Sequence, residues 1–252
     1  MASLKERLEH CVTPNALRAY LAEFISTFIF VSAAVGAAMS TQKMVHDAAP
    51  DSSSLVAVAV AHGFALFVAV YISSNVSGGH VNPAVTFGMA VGGHISIPMF
   101  IFYFISQMLG SVMACLLLRI ATVSQRIPPH GMIPNEMTGF GASMLEGVMT
   151  FALVYTFYAA TAETRRGGSS GAMGPLAVGL IAGANVLAAR PFTGGSMNPA
   201  YSFGSALLAG TFRNQAVYWV GPFIGAAIAG ILYDNVVSPK PLDAGSVDQV
   251  GA

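Results

Sequence analysis

Two short stretches of this chain carry the groups best suited to handle a small polar molecule. Ser77-Gly78-Gly79-His80-Val81-Asn82-Pro83-Ala84-Val85-Thr86-Phe87-Gly88 recurs as Thr193-Gly194-Gly195-Ser196-Met197-Asn198-Pro199-Ala200-Tyr201-Ser202-Phe203-Gly204, so both read GGxxNPAxxFG. Asn is a favoured helix N-cap, and Pro at the first helical position gives up no needed donor. Asn82-Pro83 and Asn198-Pro199 are therefore each predicted to open a helix whose start carries positive partial charge. The Asn amide adds hydrogen-bond donors. Together these groups would orient a neutral, dipolar solute. One Asn-Pro-Ala is an ordinary helix start, but two copies with the same flanks make a signal.

The ionisable groups fit the same reading. Glu23-x-x-x-Thr27-Phe28-x-x-Val31 recurs as Glu146-x-x-x-Thr150-Phe151-x-x-Val154. A carboxyl group inside an apolar span is costly unless hydrogen-bonded, so Glu23 and Glu146 are expected to support the GGxxNPA segments by accepting backbone N–H bonds. His62, also inside a span, is a candidate to line a pore. His80 either fixes its loop or touches solute, and His130 either borders a vestibule or is solvated. No His, Cys, Asp or Glu set has metal-ligand spacing, and no Gly-rich loop sits in a phosphate-binding context. Cys11 and Cys115 have no CxxC partner. Catalytic residues, metals and cofactors are therefore all expected to be none, and an enzyme reading is set aside.

Positioning these groups is a task for membrane helices. Of 252 residues, 54% are hydrophobic and 9% charged, and eleven basic residues balance eleven acidic ones, which removes any field for a nucleic acid. Six stretches are long enough to span a bilayer: Leu17–Met39, Leu55–Ile72, Ile97–Leu118, Phe140–Ala160, Met173–Ala189 and Ala216–Val237. Val81–Val91 and Met197–Leu208 are apolar but too short, and read as re-entrant half-helices. The preceding segment Met1–Pro14 reads as an amphipathic lead-in. Tyr103, Gly110 and Ala114 recur as Tyr218, Gly225 and Ala229 and look like packing residues. The chain is then one domain, 1–252, with half-repeats over about 15–122 and 138–238 and short terminal tails. Three spans per half is an odd number, so the second half must lie inverted, and its functional site belongs near the midplane. Lys and Arg divide six against five in favour of both termini being cytoplasmic.

With these motifs in place, the chain resembles the aquaporin (major intrinsic protein) superfamily from about Ala19 to Tyr233. AHGFALFVAVYISSNVSGGHVNPAVTFG and GLIAGANVLAARPFTGGSMNPAYSFG look like the plant tonoplast intrinsic proteins. The resemblance implies an all-α fold of six transmembrane helices and two half-helices in an inverted repeat. It also implies a homotetramer in the vacuolar membrane, and passage of water and small uncharged solutes such as ammonia, urea, glycerol or hydrogen peroxide. Membrane lipid is an expected neighbour and nucleic acid is not. Pore residues carried over by motif are Asn82, Pro83, Ala84, Asn198, Pro199 and Ala200. The four filter positions fall on His62, Val186, Gly195 and Tyr201. Tyr201 stands where the family usually has Arg, which removes a fixed charge and leaves a neutral phenol. Arg190 reads as a loop arginine facing headgroups or solvent, with reach to the pore mouth as its alternative. The rival readings are an ion-coupled secondary transporter and a non-conducting structural membrane protein.

Overall fold

The computed structural model describes residues 9, 11–44, 52–123, 125–129, 133–165 and 171–238. Six helices are long and apolar enough to cross a membrane. In chain order these are α1 (Pro14–Met44), α2 (Ser52–Ser77), α4 (Ile97–Ala121), α5 (Gly139–Arg165), α6 (Met173–Thr193) and α8 (Val217–Leu232), the last continuing into one π-helical turn, Tyr233–Val237. Two short helices sit between them, α3 (Pro83–Val91) and α7 (Pro199–Ala209). The first five long helices overrun the spans expected from sequence because polar ends such as Ser40-Thr41-Gln42-Lys43 continue the helix past its apolar body, whereas the last stays within its expected span. α6 likewise runs through Pro191 to Thr193 and stops at Gly194, whose φ of 94° lies in the left-handed region that suits glycine.

The helices are apolar outside and partly polar inside. On α1 the exposed residues include Leu17, Leu21 and Ile25, while Glu23, Ser26 and Thr27 are buried. That pattern matches a lipid-facing surface around an interior that must satisfy its own polar groups. No strand occurs among the described residues.

Helix pairs meet through small residues at equivalent places in the two halves. A Cβ added at Gly110 of α4 would collide with the carbonyl of Phe24 on α1, and one added at Gly225 of α8 would collide with the carbonyl of Gly147 on α5. Phe24 and Gly147 directly follow Glu23 and Glu146, so these close approaches seat the helices that carry the two carboxyl groups. Small residues at such crossings let backbones touch where lipid offers no hydrophobic drive for association.

Overpacking these contacts should loosen the bundle. Gly225→Val and Gly110→Val are each expected to cost about 1–3 kcal/mol, read as a lower midpoint for heat-induced loss of the monodisperse protein in detergent. Gly139→Val is the control, because nothing lies within 4 Å of a Cβ at Gly139. A midpoint for Gly225→Val equal to that of Gly139→Val would refute the close approach.

Candidate functional site

Each short helix begins at an Asn-Pro. Asn82 is the N-cap of α3, with its Oδ1 accepting from the N–H of Ala84 at 2.8 Å. Asn198 caps α7 and accepts from the N–H groups of Ala200 and Tyr201 at 3.0 and 3.3 Å. The residue just before each cap has positive φ, 56° at Val81 and 53° at Met197. Left-handed backbone is costly for a β-branched residue such as Val81 and persists only when its surroundings enforce it.

Those surroundings are the two buried glutamates. The Oε1 of Glu23 accepts from Ser77 Oγ at 2.6 Å and from the N–H of His80 at 2.9 Å. Its Oε2 accepts from the N–H of Val81 and from Gln107 Nε2, both at 2.7 Å. In the other half, Glu146 Oε1 accepts from Thr193 Oγ1 at 2.6 Å and the N–H of Ser196 at 3.0 Å, and its Oε2 accepts from the N–H of Met197 at 2.8 Å. Both side chains are fully buried. Each carboxyl group thus fixes the strained residue before the cap.

The strain aims two carbonyls across the interface between halves. Asn82 Nδ2 donates to the carbonyl of Met197 at 2.9 Å, and Asn198 Nδ2 donates to the carbonyl of Val81 at 3.0 Å. The amino ends of α3 and α7 therefore meet tip to tip, each Asn amide using one of its two N–H groups on the opposite loop. The positive ends of two helix dipoles converge there.

The far ends of the short helices are held too. Tyr158 donates to the carbonyl of Gly88 at 2.7 Å, and His94 pairs with Asp234 at 2.7 Å beside the end of α3. Arg119 of α4 donates to the carbonyl of Leu208 near the end of α7 at 3.0 Å. His80 lies inside the first loop, its Nδ1 3.2 Å from Thr86 Oγ1. A cavity of about 100 Å³ opens there, lined by Ser74, Gly78, His80, Met89, Phe157 and Thr161. That volume suffices for several waters.

On α2, His62 precedes Val70, the first residue of that helix to line the cavity, by eight residues, about 12 Å at 1.5 Å per residue. Its ring lies edge-on to Tyr201 at 5.5 Å and to Phe30 at 4.9 Å, with Phe30 and Tyr201 5.8 Å apart. All three are buried. Gly195 has φ 62° and lies so near α6 that an added Cβ would be 3.2 Å from Val186 Cα. His62 and Tyr201 are thus in direct contact, as are Val186 and Gly195. His130 lies outside the described residues.

Several contributors escaped the sequence reading. Phe30 falls four and seven residues beyond Ser26 and Glu23, on one face of α1, and that spacing is the signal that would have found it. Gln107 bridges Glu23 and Thr86 Oγ1, and shares a face of α4 with Tyr103 and Gly110. Tyr103 and Tyr218 do more than pack. Their hydroxyls donate to the carbonyls of Ser77 and Thr193, at 2.9 and 2.5 Å, where each loop leaves its long helix. Arg190 lies on the last turn of α6 and is half-buried, because the helix continues past the end expected for it.

Comparison with known proteins gives the same architecture. A family model described as "Major intrinsic protein" matches residues 10–233. "Probable aquaporin TIP5-1" of Arabidopsis thaliana is 54% identical over 244 residues, covering 97% of this chain and 94% of that protein. "Aquaporin TIP2-1" of the same plant is 56% identical over 221 residues, covering 88% of each. Among solved structures, the aquaglyceroporin from Plasmodium falciparum superposes with a TM-score of 0.74 at 22% identity, over 88% of this chain and 97% of that one, a likeness that bears on the fold.

Removing a glutamate should release its loop. Glu146→Ala leaves the N–H groups of Ser196 and Met197 without their acceptor, at about 1–3 kcal/mol for each orphaned group. The expected result is a lower thermal midpoint in detergent and loss of most osmotic water permeability in proteoliposomes, with Glu146→Gln intermediate. Wild-type permeability and midpoint in Glu146→Ala would contradict this role.

Proposed function

Given that the chain belongs to the major intrinsic protein family, we propose that its tip-to-tip helices form the midpoint of a pore whose narrowest filter is His62, Val186, Gly195 and Tyr201. The protein is a passive, multi-pass membrane channel for water and small solutes, and it is not an enzyme. The observation that carries the finer reading is the reciprocal pair of Asn-to-carbonyl bonds at Asn82 and Asn198. They hold two donor amides and two positive helix ends at one point. A water passing there would turn its oxygen toward the amides, which interrupts a continuous hydrogen-bonded chain and opposes proton transfer.

In this reading Glu23, Glu146 and His80 support the two loops, and Pro83, Ala84, Pro199 and Ala200 open the short helices. The halves over about 15–122 and 138–238 act as an inverted pair. The small residues Val186 and Gly195, with Tyr201 in place of arginine, suit a solute range wider than water, including ammonia, urea, glycerol or hydrogen peroxide. Homotetrameric assembly, the vacuolar membrane and cytoplasmic termini complete the proposal, on the likeness to the plant relatives.

Stopped-flow light scattering on proteoliposomes tests it. Water and urea fluxes should rise linearly with their gradients, without saturation and without dependence on an ion gradient. Tyr201→Arg should depress urea and glycerol flux more than water flux. Saturating, ion-dependent flux would contradict a channel, and equal depression of all three fluxes would contradict the role of Tyr201.

A further inference from the structure

The residue after the second Asn-Pro-Ala is uncharged, yet a cation stands beside it. Arg190 follows Val186 by four residues, so the two share a face of α6, with Arg190 one turn nearer the helix end. The backbone there packs on the second loop: Gly194 N–H donates to the carbonyl of Arg190 at 3.1 Å, and a Cβ at Gly195 would lie 3.5 Å from Arg190 N. From this anchor the Arg190 side chain is close enough to act electrostatically on both Tyr201 and His62. Among the described residues no carboxylate forms a salt bridge with it. Glu146, the buried carboxyl that also acts on Tyr201, is committed to Thr193 and to the loop N–H groups of Ser196 and Met197.

We propose that Arg190, bonded to the Tyr201 hydroxyl from the last turn of α6, is the cationic group of the filter and sets its exclusion of cations. The inference rests on the filter reading given above. Arg has only donors, so the bond runs from guanidinium N–H to the phenol oxygen. The Tyr201 O–H proton then points away from the guanidinium. The phenol thus presents a polarised donor, while the charge stays beside the aperture without narrowing it. Neutral solutes gain a hydrogen-bond donor and cations meet a repulsive charge in a region of low dielectric. Tyr201 and Arg190 act as one composite side chain supplied by two helices.

The test compares wild type with Arg190→Leu, Arg190→Gln, Arg190→Lys, Tyr201→Phe and Arg190→Leu/Tyr201→Phe in proteoliposomes. The thermal midpoint of the monodisperse protein in detergent serves as the folding control, and proton and sodium leak under a clamped potential is the readout. Arg190→Leu and Arg190→Gln are expected to raise cation leak on the order of tenfold through loss of a nearby repulsive charge, with a thermal midpoint close to that of wild type. Arg190→Lys should keep most of the barrier. Tyr201→Phe should raise the leak by freeing the guanidinium, and the double variant should leak no more than Arg190→Leu. Arg190→Gln keeps a polar side chain of similar reach, so it answers the question if the leucine variant fails to fold. Wild-type leak in both Arg190→Leu and Arg190→Gln, while Tyr201→Ala still changes the urea-to-water ratio, would overturn the role of Arg190 and leave the filter standing. If neither Arg190→Gln nor Tyr201→Ala nor His62→Ala changed any ratio, the filter reading itself would fall.

Discussion

Non-helical backbone inside a membrane must have its polar groups satisfied by protein or by water, and the whole arrangement follows from how two carboxyl groups meet that demand. Glu23 and Glu146 accept the N–H groups of the residues that approach each Asn-Pro. Without them Val81 and Met197 would have little reason to hold positive φ. With them, the carbonyls of those residues point across the midline, where the opposite Asn meets each one. A buried acid thereby becomes a positional device, as the cost of its burial is offset by the several donors converging on it. The tyrosines at 103 and 218 finish the work by satisfying the carbonyls where each loop begins.

The same economy of polar groups explains why the interior is polar and the exterior is not. α1 presents Leu17, Leu21 and Ile25 outward and Glu23, Ser26 and Thr27 inward. Glycines at the crossings bring the glutamate-bearing helices near enough for short hydrogen bonds to span them. The two halves are alike in the bonds that each carboxyl group takes from the end of its long helix and its loop, and unlike beyond them. Gln107 adds a fourth donor to Glu23, whereas Pro222 occupies the corresponding place in α8. The aromatic group of His62, Phe30 and Tyr201 also belongs to one side only. A solute would therefore meet a symmetric centre and asymmetric entrances.

Much of this was legible in the sequence, for reasons of period and parity. Long apolar runs give spans, a run too short to span gives a half-helix, and a repeat with an odd number of spans must invert. Asn-Pro is a cap signal that depends on two adjacent residues alone. What sequence did not convey depends on contacts between segments far apart in the chain. The reach of Asn82 to a carbonyl 115 residues away is one such contact, and the approach of Phe30 to His62 is another. Arg190 reads as a loop residue only if α6 is assumed to stop before Pro191. The helix absorbs that proline and keeps the arginine on its last turn, beside the second loop, a result that local propensity does not foretell.

The most direct measurement is an electron cryomicroscopy map of the protein in lipid nanodiscs, at a resolution that shows side chains. Both short helices should begin at the centre of the lipid slab, with the Asn82 amide within hydrogen-bond distance of the Met197 carbonyl and the Asn198 amide within reach of that of Val81. Either short helix lying outside the lipid, or the two Asn-Pro ends standing apart, would contradict the account at its root.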